Sequence, residues 1–552
     1  MTTATHTPGG TKVLVVGAGP VGLSLALELG LRGVETLVVE QRSRAGAQPR
    51  AKTTNVRSMT HMRRWGIAEA LRDAAPLPRD YPMDVVFATA LFGRTLAVIE
   101  NASEGAKRRD PRFPEPGQWV PQYTVEQVLR ERLAELNCVR RVEATEFVDA
   151  AEDGNGVLAT LRDASTGATT TVRADYLVGC DGARSRVRQV MGAKMEGSHA
   201  FAHNFNMILR IPELEAMPPA RRAIMYWIVN PRSPGVISPL DAKGVWAFGV
   251  LLPPGVQDIA DADVLERLQA AIGRPVKAEI LTRDIWAAHR LIANTYRNGR
   301  MMLAGDACHL HPPFGGFGMN LGIADGVDLG WKLAAVIAGW GGDALLDSYE
   351  TERRPVHRRT IAEAVANYSV LSDHLLKADL DADTPDGERA RDEVGREIAA
   401  SKTREFHTLG VVLGSRYENS PVIVGDGSAP PAEHPTSFEP SAHPGCLAPH
   451  AWLSDGASLY DRFGQGYTLL RLDDGGDPAA RAIVAEATRA GVPLTVLDIR
   501  AEGLRTLYGA PLALVRPDQY VAWRGATVDA GVLVDTVRGA VRAEPALARL
   551  AS

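Results

Sequence analysis

Apolar and polar positions along this chain separate strands from helices before any motif is read. Val13-Leu14-Val15-Val16 is continuously aliphatic and runs into glycine, the pattern of a parallel strand buried on both faces. Thr36 to Glu40 repeats that pattern. Helical spacing follows over about Asn55 to Ala74 and over Thr124 to Leu136, where Val125, Val128, Leu129, Leu133 and Leu136 fall on one face. Gly156 to Arg162 and Thr169 to Val178 read as the strands of a hairpin turning through Asp163 to Gly167. From about Gly192 to Asp284 the chain is β-rich, with strands expected at Phe205 to Ile211, Ala223 to Asn230 and Gly244 to Leu252. Helices are expected at Ile323 to Gly339 and Leu346 to Leu371.

Past about Ser415 the composition shifts to Pro, Gly, Ser and His, a linker signal. The pattern then restarts, with strands at Tyr467 to Arg471, Leu494 to Asp498, Leu512 to Arg516 and Tyr520 to Arg524. Helices at Asp477 to Ala490 and Asp535 to Ala543 alternate with them, so an independent α/β module closes the chain. The expected fold class is α/β, α+β overall. A nucleotide-binding domain over 1–191 carries an insertion near 75–120 that belongs to a separate β-sheet domain over 192–284. Its second part, with helices, covers 285–414, and a linker and C-terminal module cover 415–552. A length of 552 residues agrees with about three domains at roughly 150 residues each.

Composition narrows the function. At 45% apolar and 23% charged the chain is ordinary for a soluble globular protein. A net charge of −5 argues against a nucleic-acid partner, which calls for a basic face. Met1 to Lys12 lacks the basic start and apolar core of a signal peptide, and no segment reaches the roughly 18 apolar residues of a membrane span. A cytoplasmic protein without membrane contact is expected. Cys138, Cys180, Cys308 and Cys446 form no C-x-x-C pair, so reduced, mostly buried thiols are expected, with neither a zinc site nor a redox dithiol.

Three segments carry chemistry. After the first strand, Gly17, Gly19 and Gly22 make a G-x-G-x-x-G turn with Pro20 opening a helix, whose N-terminus attracts a pyrophosphate. Glu40, ending the second strand, stands where a ribose-binding carboxylate belongs. The second segment, Tyr176 to Arg188, runs a strand into Asp181-Gly182 and a basic helix start. The third, Arg300 to His309, delivers Asp306 to a strand end and continues through Pro312, Pro313, Gly315, Gly316, Gly318, Met319 and Asn320 into a helix. His309 and His311 lack a third partner at metal-ligand spacing, so no metal is expected.

In order and spacing these segments resemble the single-component flavin-dependent aromatic hydroxylases typified by para-hydroxybenzoate hydroxylase, in particular the phenol and aromatic-polyketide hydroxylases. Their third motif reads G-D-A-A-H-x-x-P-P-x-G-G-x-G-x-N, from which this chain departs at Cys308. The resemblance covers about residues 10–400. It implies non-covalent FAD, NAD(P)H as co-substrate with NADPH favoured, O2 and a small aromatic substrate, and it leaves room for a homodimer. The reaction implied is hydroxylation of a phenolic or polyketide-type ring through a C4a-hydroperoxyflavin. Baeyer-Villiger insertion or epoxidation on a related polycyclic substrate is the alternative.

By the same resemblance Gly17, Gly19, Pro20 and Gly22 hold the pyrophosphate and Glu40 the adenosine ribose. Arg50 and Gln122 stand beside the flavin, while Asp181, Gly182 and Arg188 border a groove shared with the nicotinamide. Gly305 and Asp306 bind the ribityl chain. Pro313, Gly318, Met319 and Asn320 face the ring, and Pro312 shapes the oxygen pocket. Arg50, Asn55, Tyr226 and Pro312 are the catalytic candidates, with His203 and Arg210 as further candidates to bind a phenol. Phe205, Met207, Tyr226, Trp227, Trp246 and Phe248 offer an aromatic surface for the substrate, less those that face the other side of their strands. The C-terminal module resembles the thioredoxin-like tail of the same hydroxylases. Without its dithiol it is expected to be structural or to make subunit contacts.

Overall fold

The computed structural model describes residues 10–43, 50–106, 108–252, 256, 258–369, 375–500 and 502–540. The expected helix end at Leu371 lies outside these residues, and the helix expected over Asp535 to Ala543 is instead Ala530–Val537, which ends at a turn before Ala540. Its first sheet is the nucleotide-binding one. Thr11–Val16 lies between Thr36–Val39 and Thr169–Gly179, and the parallel order extends to Val139–Val142 on one side and Met301–Leu303 on the other. Val13, Leu14 and Val15 are fully buried, as helices covering both faces of a parallel sheet require. Thr169–Gly179 also pairs antiparallel with Val157–Asp163, the expected hairpin.

Two helices cross over this sheet at close range. Pro20–Gly30 packs against Gly318–Ile337, where Gly322, Gly326 and Gly330 form a stripe without side chains. A Cβ at Gly330 would come 2.5 Å from that of Glu28, and one at Gly322 would come 2.4 Å from Val21. The single helical pattern from Asn55 to Ala74 is two helices, Val56–Arg64 and Ala68–Ala74, broken where Gly66 takes a positive φ of 78°.

The second sheet has eight strands in the order His309–Leu310, Glu279–Ala293, Met195–Arg210, Val245–Leu251, Gly235–Pro239, Met225–Ile228, Val85–Ala88 and Thr95–Ile99. The last two come from the stretch before the second helical segment and join the sheet by the parallel pairing of Val85–Ala88 with Met225–Ile228. One face packs beneath the helix Asp261–Ile272 and forms a closed core of Phe205, Met207, Leu209, Tyr226, Trp246, Phe248 and Val250 with Val264 and Leu268. On the opposite face Val85, Phe87, Ile99 and Trp227 pack with Val394, Ile398 and Phe406 of the helix Pro385–Phe406.

The C-terminal sheet runs Leu494–Asp498, Tyr467–Arg471, Leu512–Val515, Val521–Gly525. Its first pair is parallel and the next two antiparallel, with helices Asp477–Arg489, Glu502–Tyr508 and Ala530–Val537, a thioredoxin-like arrangement. It shares a core with the nucleotide-binding domain through Trp331, Ala335 and Leu345. All four cysteines are free thiols. Among the described residues no helix is long and apolar enough to cross a membrane.

Candidate functional site

Each glycine of the first turn answers a different constraint. Gly17 has φ 104°, and a Cβ there would lie 2.4 Å from the Cys180 carbonyl, so the turn packs against the second motif. A Cβ on Gly22 would lie 1.9 Å from the Gly17 carbonyl, whereas one on Gly19 would meet nothing within 4 Å. Gly19 therefore faces open space at the start of Pro20–Gly30, a helix with no acid in its first turn. That end presents unpaired amides and positive dipole, the environment a pyrophosphate needs. Glu40 accepts the Ala18 amide at 2.9 Å and the Arg42 amide at 3.0 Å, which holds its carboxylate beside the turn.

Asp306 stands at the end of Met301–Leu303, just beyond Gly305, whose φ is 64°. Its carboxylate is exposed and has no hydrogen-bond partner among the described residues. Surrounding protein still crowds it enough to raise its pKa, a rise opposed by His309 and Arg50. An acid in the floor of a groove without a partner fits a polyol hydroxyl. Arg50 itself is exposed.

The loop behind Asp306 is fixed by a buried acid that the sequence reading passed over. Asp325 Oδ2 accepts the Gly305 amide at 3.0 Å and His309 Nε2 at 2.9 Å. Its Oδ1 accepts Arg353 Nε at 2.8 Å and His357 Nε2 at 2.9 Å. These partners hold Asp325 well below the usual carboxylate range against the cost of burial. Burial pushes His357 down to about 3, so it stays neutral, donating to Asp325 and accepting the Tyr296 hydroxyl at 2.8 Å. Cys308, His309, Asp325 and His357 present ligand atoms within 4.8 Å of one another. His309 thus has in the fold the further partners that the sequence spacing did not offer it, while both Asp325 oxygens already accept hydrogen bonds, one of them from Arg353.

At the ring end, Gly318–Ile337 begins with no acid in its first turn and makes its first helical bond from the Leu321 amide to the Phe317 carbonyl. The amides of Gly318, Met319 and Asn320 thus have no partner within the helix. Asn320 is buried. Its Oδ1 accepts the Asn55 amide at 2.9 Å, while Nδ2 donates to Thr53 and Gly316 carbonyls at 2.9 and 2.7 Å. Pro312 is buried and its carbonyl accepts His311 Nδ1 at 2.7 Å, whereas Pro313 is exposed. Burial lowers His311 to about 4 and leaves its Nε2 without a partner.

Several candidates take other places. Asn55 caps the helix Val56–Arg64, accepting the Ser58 amide at 3.0 Å, so its side-chain oxygen is committed to the fold. The Tyr226 hydroxyl accepts the Ala223 amide and donates to the Arg221 carbonyl, both at 2.9 Å, deep in the core beneath Asp261–Ile272. It faces away from the groove, because Trp227 beside it takes the opposite side of the strand. Phe205, Met207, Trp246 and Phe248 share that core, so only Trp227 of the expected aromatic surface faces inward.

Arg188 is buried and donates to the Ala307 and Ala183 carbonyls, both at 2.9 Å, tying the second motif to the third. Asp181 accepts the amides of Arg186 and Val187 at 2.7 and 3.1 Å, while its buried Oδ1 lacks a partner. Burial raises this carboxyl. Gly182 takes φ 81° with nothing near its absent Cβ. Gln122 donates to Glu126 at 2.9 Å from the start of its helix. His203 and Arg210 lie on Met195–Arg210, with Arg210 at 3.5 Å from Glu279 near the outer end.

Strand register defines the inward face. Phe87, Trp227, Val236, Gly249 and Asn206 lie opposite one another across five strands. Gly249 leaves a gap in this row, since a side chain there would strike the Asn206 amide. With its amide oxygen toward Trp286, Asn206 accepts that indole N–H at 2.6 Å. Trp227 lies 6.0 Å from Phe87 in a stacked pair and 6.1 Å from Phe314 of the glycine-rich loop. Among the described residues its own indole N–H has no partner, nor do buried atoms of Asn204 and Ser238.

Two lysines were not foreseen. Lys402 is buried, with Nζ 4.9 Å from the centre of the Trp227 ring, and donates to Glu405 at 3.0 Å. Lys52 makes no ion pair among the described residues, and burial lowers it to about 8. The only sequence signal for either is a lysine set among residues that the fold buries.

Comparisons with known proteins give the family. Residues 10–364 match the family described as FAD binding domain, and residues 441–543 match the aromatic-ring hydroxylase C-terminal domain. A tetracenomycin B2 monooxygenase-dioxygenase of Streptomyces olivaceus is 33% identical over 93% of this chain and 95% of its own length. RebC with bound 7-carboxy-K252c superposes with a TM-score of 0.89 at 36% identity, covering 97% of this chain and all of RebC. Aklavinone-11 hydroxylase in complex with FAD and aklavinone gives a TM-score of 0.82 at 28% identity, again over 97% of this chain and all of its own. The fold is that of a flavoprotein monooxygenase. The chain belongs to the FAD-dependent aromatic-ring hydroxylases that carry a thioredoxin-like C-terminal domain.

Proposed function

We propose that this monooxygenase hydroxylates a planar, multi-ring phenol of the aromatic-polyketide kind, with NADPH as electron donor and O2 as the source of the added oxygen. The inward row Phe87, Trp227, Val236, Gly249 and Asn206 carries this reading. Its Phe87 and Trp227 end packs against Phe406 and against Phe314 of the loop before Gly318–Ile337, and its other end, Val236, Gly249 and Asn206, is half-buried and more polar. The relatives' names, which include tetracenomycin B2 and aklavinone, support a substrate of that size.

FAD, when bound, supplies electron transfer and the activation of O2. Gly19 and Pro20 would lay backbone against its pyrophosphate, in a turn whose close packing Gly17 and Gly22 allow, and Glu40 would take the ribose. Asp306, beyond Gly305, binds the ribityl hydroxyls. The unpaired amides of Gly318, Met319 and Asn320 stabilise negative charge on the ring through the helix end. Pro312 and Pro313 shape the wall above it, and Gln122 borders it. Arg50 with Asp181, Gly182 and Arg188 lines the approach of the nicotinamide, which has no second nucleotide fold of its own. Trp227 and Asn206 orient the substrate ring, and the buried sheet face excludes water.

The proposal includes the domain limits 1–191, 192–284, 285–414 and 415–552, the absence of a resident metal and a cytoplasmic location. Whether the chain works as a homodimer is read by its mass in solution. The deciding experiment follows NADPH oxidation with single-ring and multi-ring phenols and weighs the products. Gain of one oxygen atom on a multi-ring phenol supports the reading. NADPH oxidation that yields only peroxide with every phenol overturns it.

A further inference from the structure

We infer that the turn Arg516 to Gln519 of the C-terminal module is a positioning element for the flavin site, acting on both of its ends through buried side chains. The inference rests on the placement of FAD proposed above. It gives the module a part in cofactor geometry that its missing dithiol does not explain.

The first connection runs to the loop behind Asp306. Arg516 is fully buried and donates to Glu352 at 2.6 and 2.9 Å, to Asp328 at 2.9 Å and to Asp518 at 2.7 and 3.0 Å. Lys332 completes the cluster, donating to Asp328 at 2.8 Å and Glu352 at 2.6 Å. Three carboxylates thus face two cations, and burial with the neighbouring acids raises Asp328 to about 7. Glu352 immediately precedes Arg353, which holds Asp325, and Asp325 holds the Gly305 amide. Moving Arg516 therefore shifts the helix segment that anchors the Gly305-Asp306 turn.

The second connection runs to the ring end. Gln519 has a positive φ of 71°, an uncommon conformation that aims its side chain at Arg57. Arg57 donates to Gln519 Oε1, and to the Asp518 carbonyl at 2.5 Å. It lies on Val56–Arg64, whose capping residue Asn55 gives its amide to Asn320 Oδ1, and Asn320 in turn holds Gly316 and Thr53. A module that served only as ballast or as a subunit contact would have no need to bury a glutamine against an arginine on this helix.

The test uses the full-length protein with Gln519→Ala, Gln519→Glu and Arg57→Lys. Glutamate keeps the acceptor toward Arg57, while lysine keeps the charge but loses the fork. Flavin fluorescence gives the FAD dissociation constant, visible circular dichroism reports ring geometry, and melting of the flavin-free protein reports the fold. In Gln519→Ala and Arg57→Lys the dissociation constant is expected to rise about tenfold with a changed visible dichroism, a loss larger than the lowered melting of the flavin-free protein accounts for, since both residues are buried, and Gln519→Glu recovering affinity and dichroism. Wild-type affinity and dichroism in both variants would overturn the inference. So would losses that only parallel a lowered melting temperature and that glutamate fails to recover. Asp306→Ala separates the two levels of argument, because tight FAD binding in that variant defeats the proposed placement of FAD and not the coupling.

Discussion

Gly22 stands so close to Gly17 that a Cβ on it would lie 1.9 Å from the Gly17 carbonyl, while Gly19 between them faces open space. The two positions divide one motif into a structural part and a binding part. Gly22→Ala is expected to cost about 3 kcal/mol or more through overpacking. Gly19→Ala keeps an allowed φ of −75° and is expected to leave the flavin-free protein within about 0.5 kcal/mol of wild type while weakening FAD binding. Urea unfolding of the flavin-free proteins and flavin titration read the two effects. Equal behaviour of the two variants would defeat the division.

Tyr226→Phe is expected to leave turnover intact. Removing the hydroxyl orphans the Ala223 amide and the Arg221 carbonyl in a closed core, which costs about 1 to 3 kcal/mol. A large fall in kcat at unchanged stability would return Tyr226 to the site.

Gly249→Val fills the gap in the inward row and displaces the Asn206 amide from Trp286. KM for a multi-ring phenol is expected to rise about tenfold with a smaller change in kcat, the signature of lost uniform binding. Steady-state kinetics with single-ring and multi-ring substrates measure it. An equal loss on both would place the substrate elsewhere.

His311 gives a pH-dependent prediction. Burial lowers it to about 4 in the fold, against about 6.5 in an unfolded chain. Between those values the unfolded state binds a proton that the folded state refuses, so the stability due to a neutral His311 is present above about pH 6.5 and is lost as pH falls toward 4. Relative to His311→Asn, the wild type is expected to lose up to about 1.4 kcal/mol per pH unit in that window. Unfolding free energies of both proteins from pH 7 down to 4.5 check it, and parallel curves would show that His311 is not buried as a neutral ring.

Much of this arrangement was legible in the residues. Buried parallel strands are continuously apolar, so Val13 to Val16 and Thr36 to Glu40 announced themselves, and the glycines marked the turns that follow. The helix Pro385–Phe406 was not foreseen because it is densely charged and buries little beyond Val394, Ile398, Lys402 and Phe406. Glu279–Ala293 was missed because exposed and half-buried positions alternate over its first residues, Glu279 to Asp284, and charged residues interrupt the rest. Asp325 escaped notice because its partners, Gly305, His309, Arg353 and His357, come from both sides of it in sequence and meet only in the fold. Tyr226 and Trp227 show how far alternation alone reaches. It says that adjacent residues face opposite sides, and only the fold shows that Asp261–Ile272 covers Tyr226 while Pro385–Phe406 packs over the side of Trp227.

The order in which the chain emerges during synthesis makes the threading of the first sheet a matter of timing. Thr169–Gly179 has its place beside Thr11–Val16, and Val157–Asp163 covers the first part of its other edge, but the part at Leu177 to Gly179 is closed only by Met301–Leu303. At about 5 to 20 residues per second a ribosome needs on the order of ten seconds or more to supply those last strands. Through that interval the sheet keeps an open edge beside its most apolar strands, and the partly made substrate sheet waits for Glu279–Ala293 in the same way. Production of this enzyme in a foreign host is therefore governed by what shields that edge during translation. Slower growth temperature or added chaperone should raise soluble yield more than any change at the finished surface.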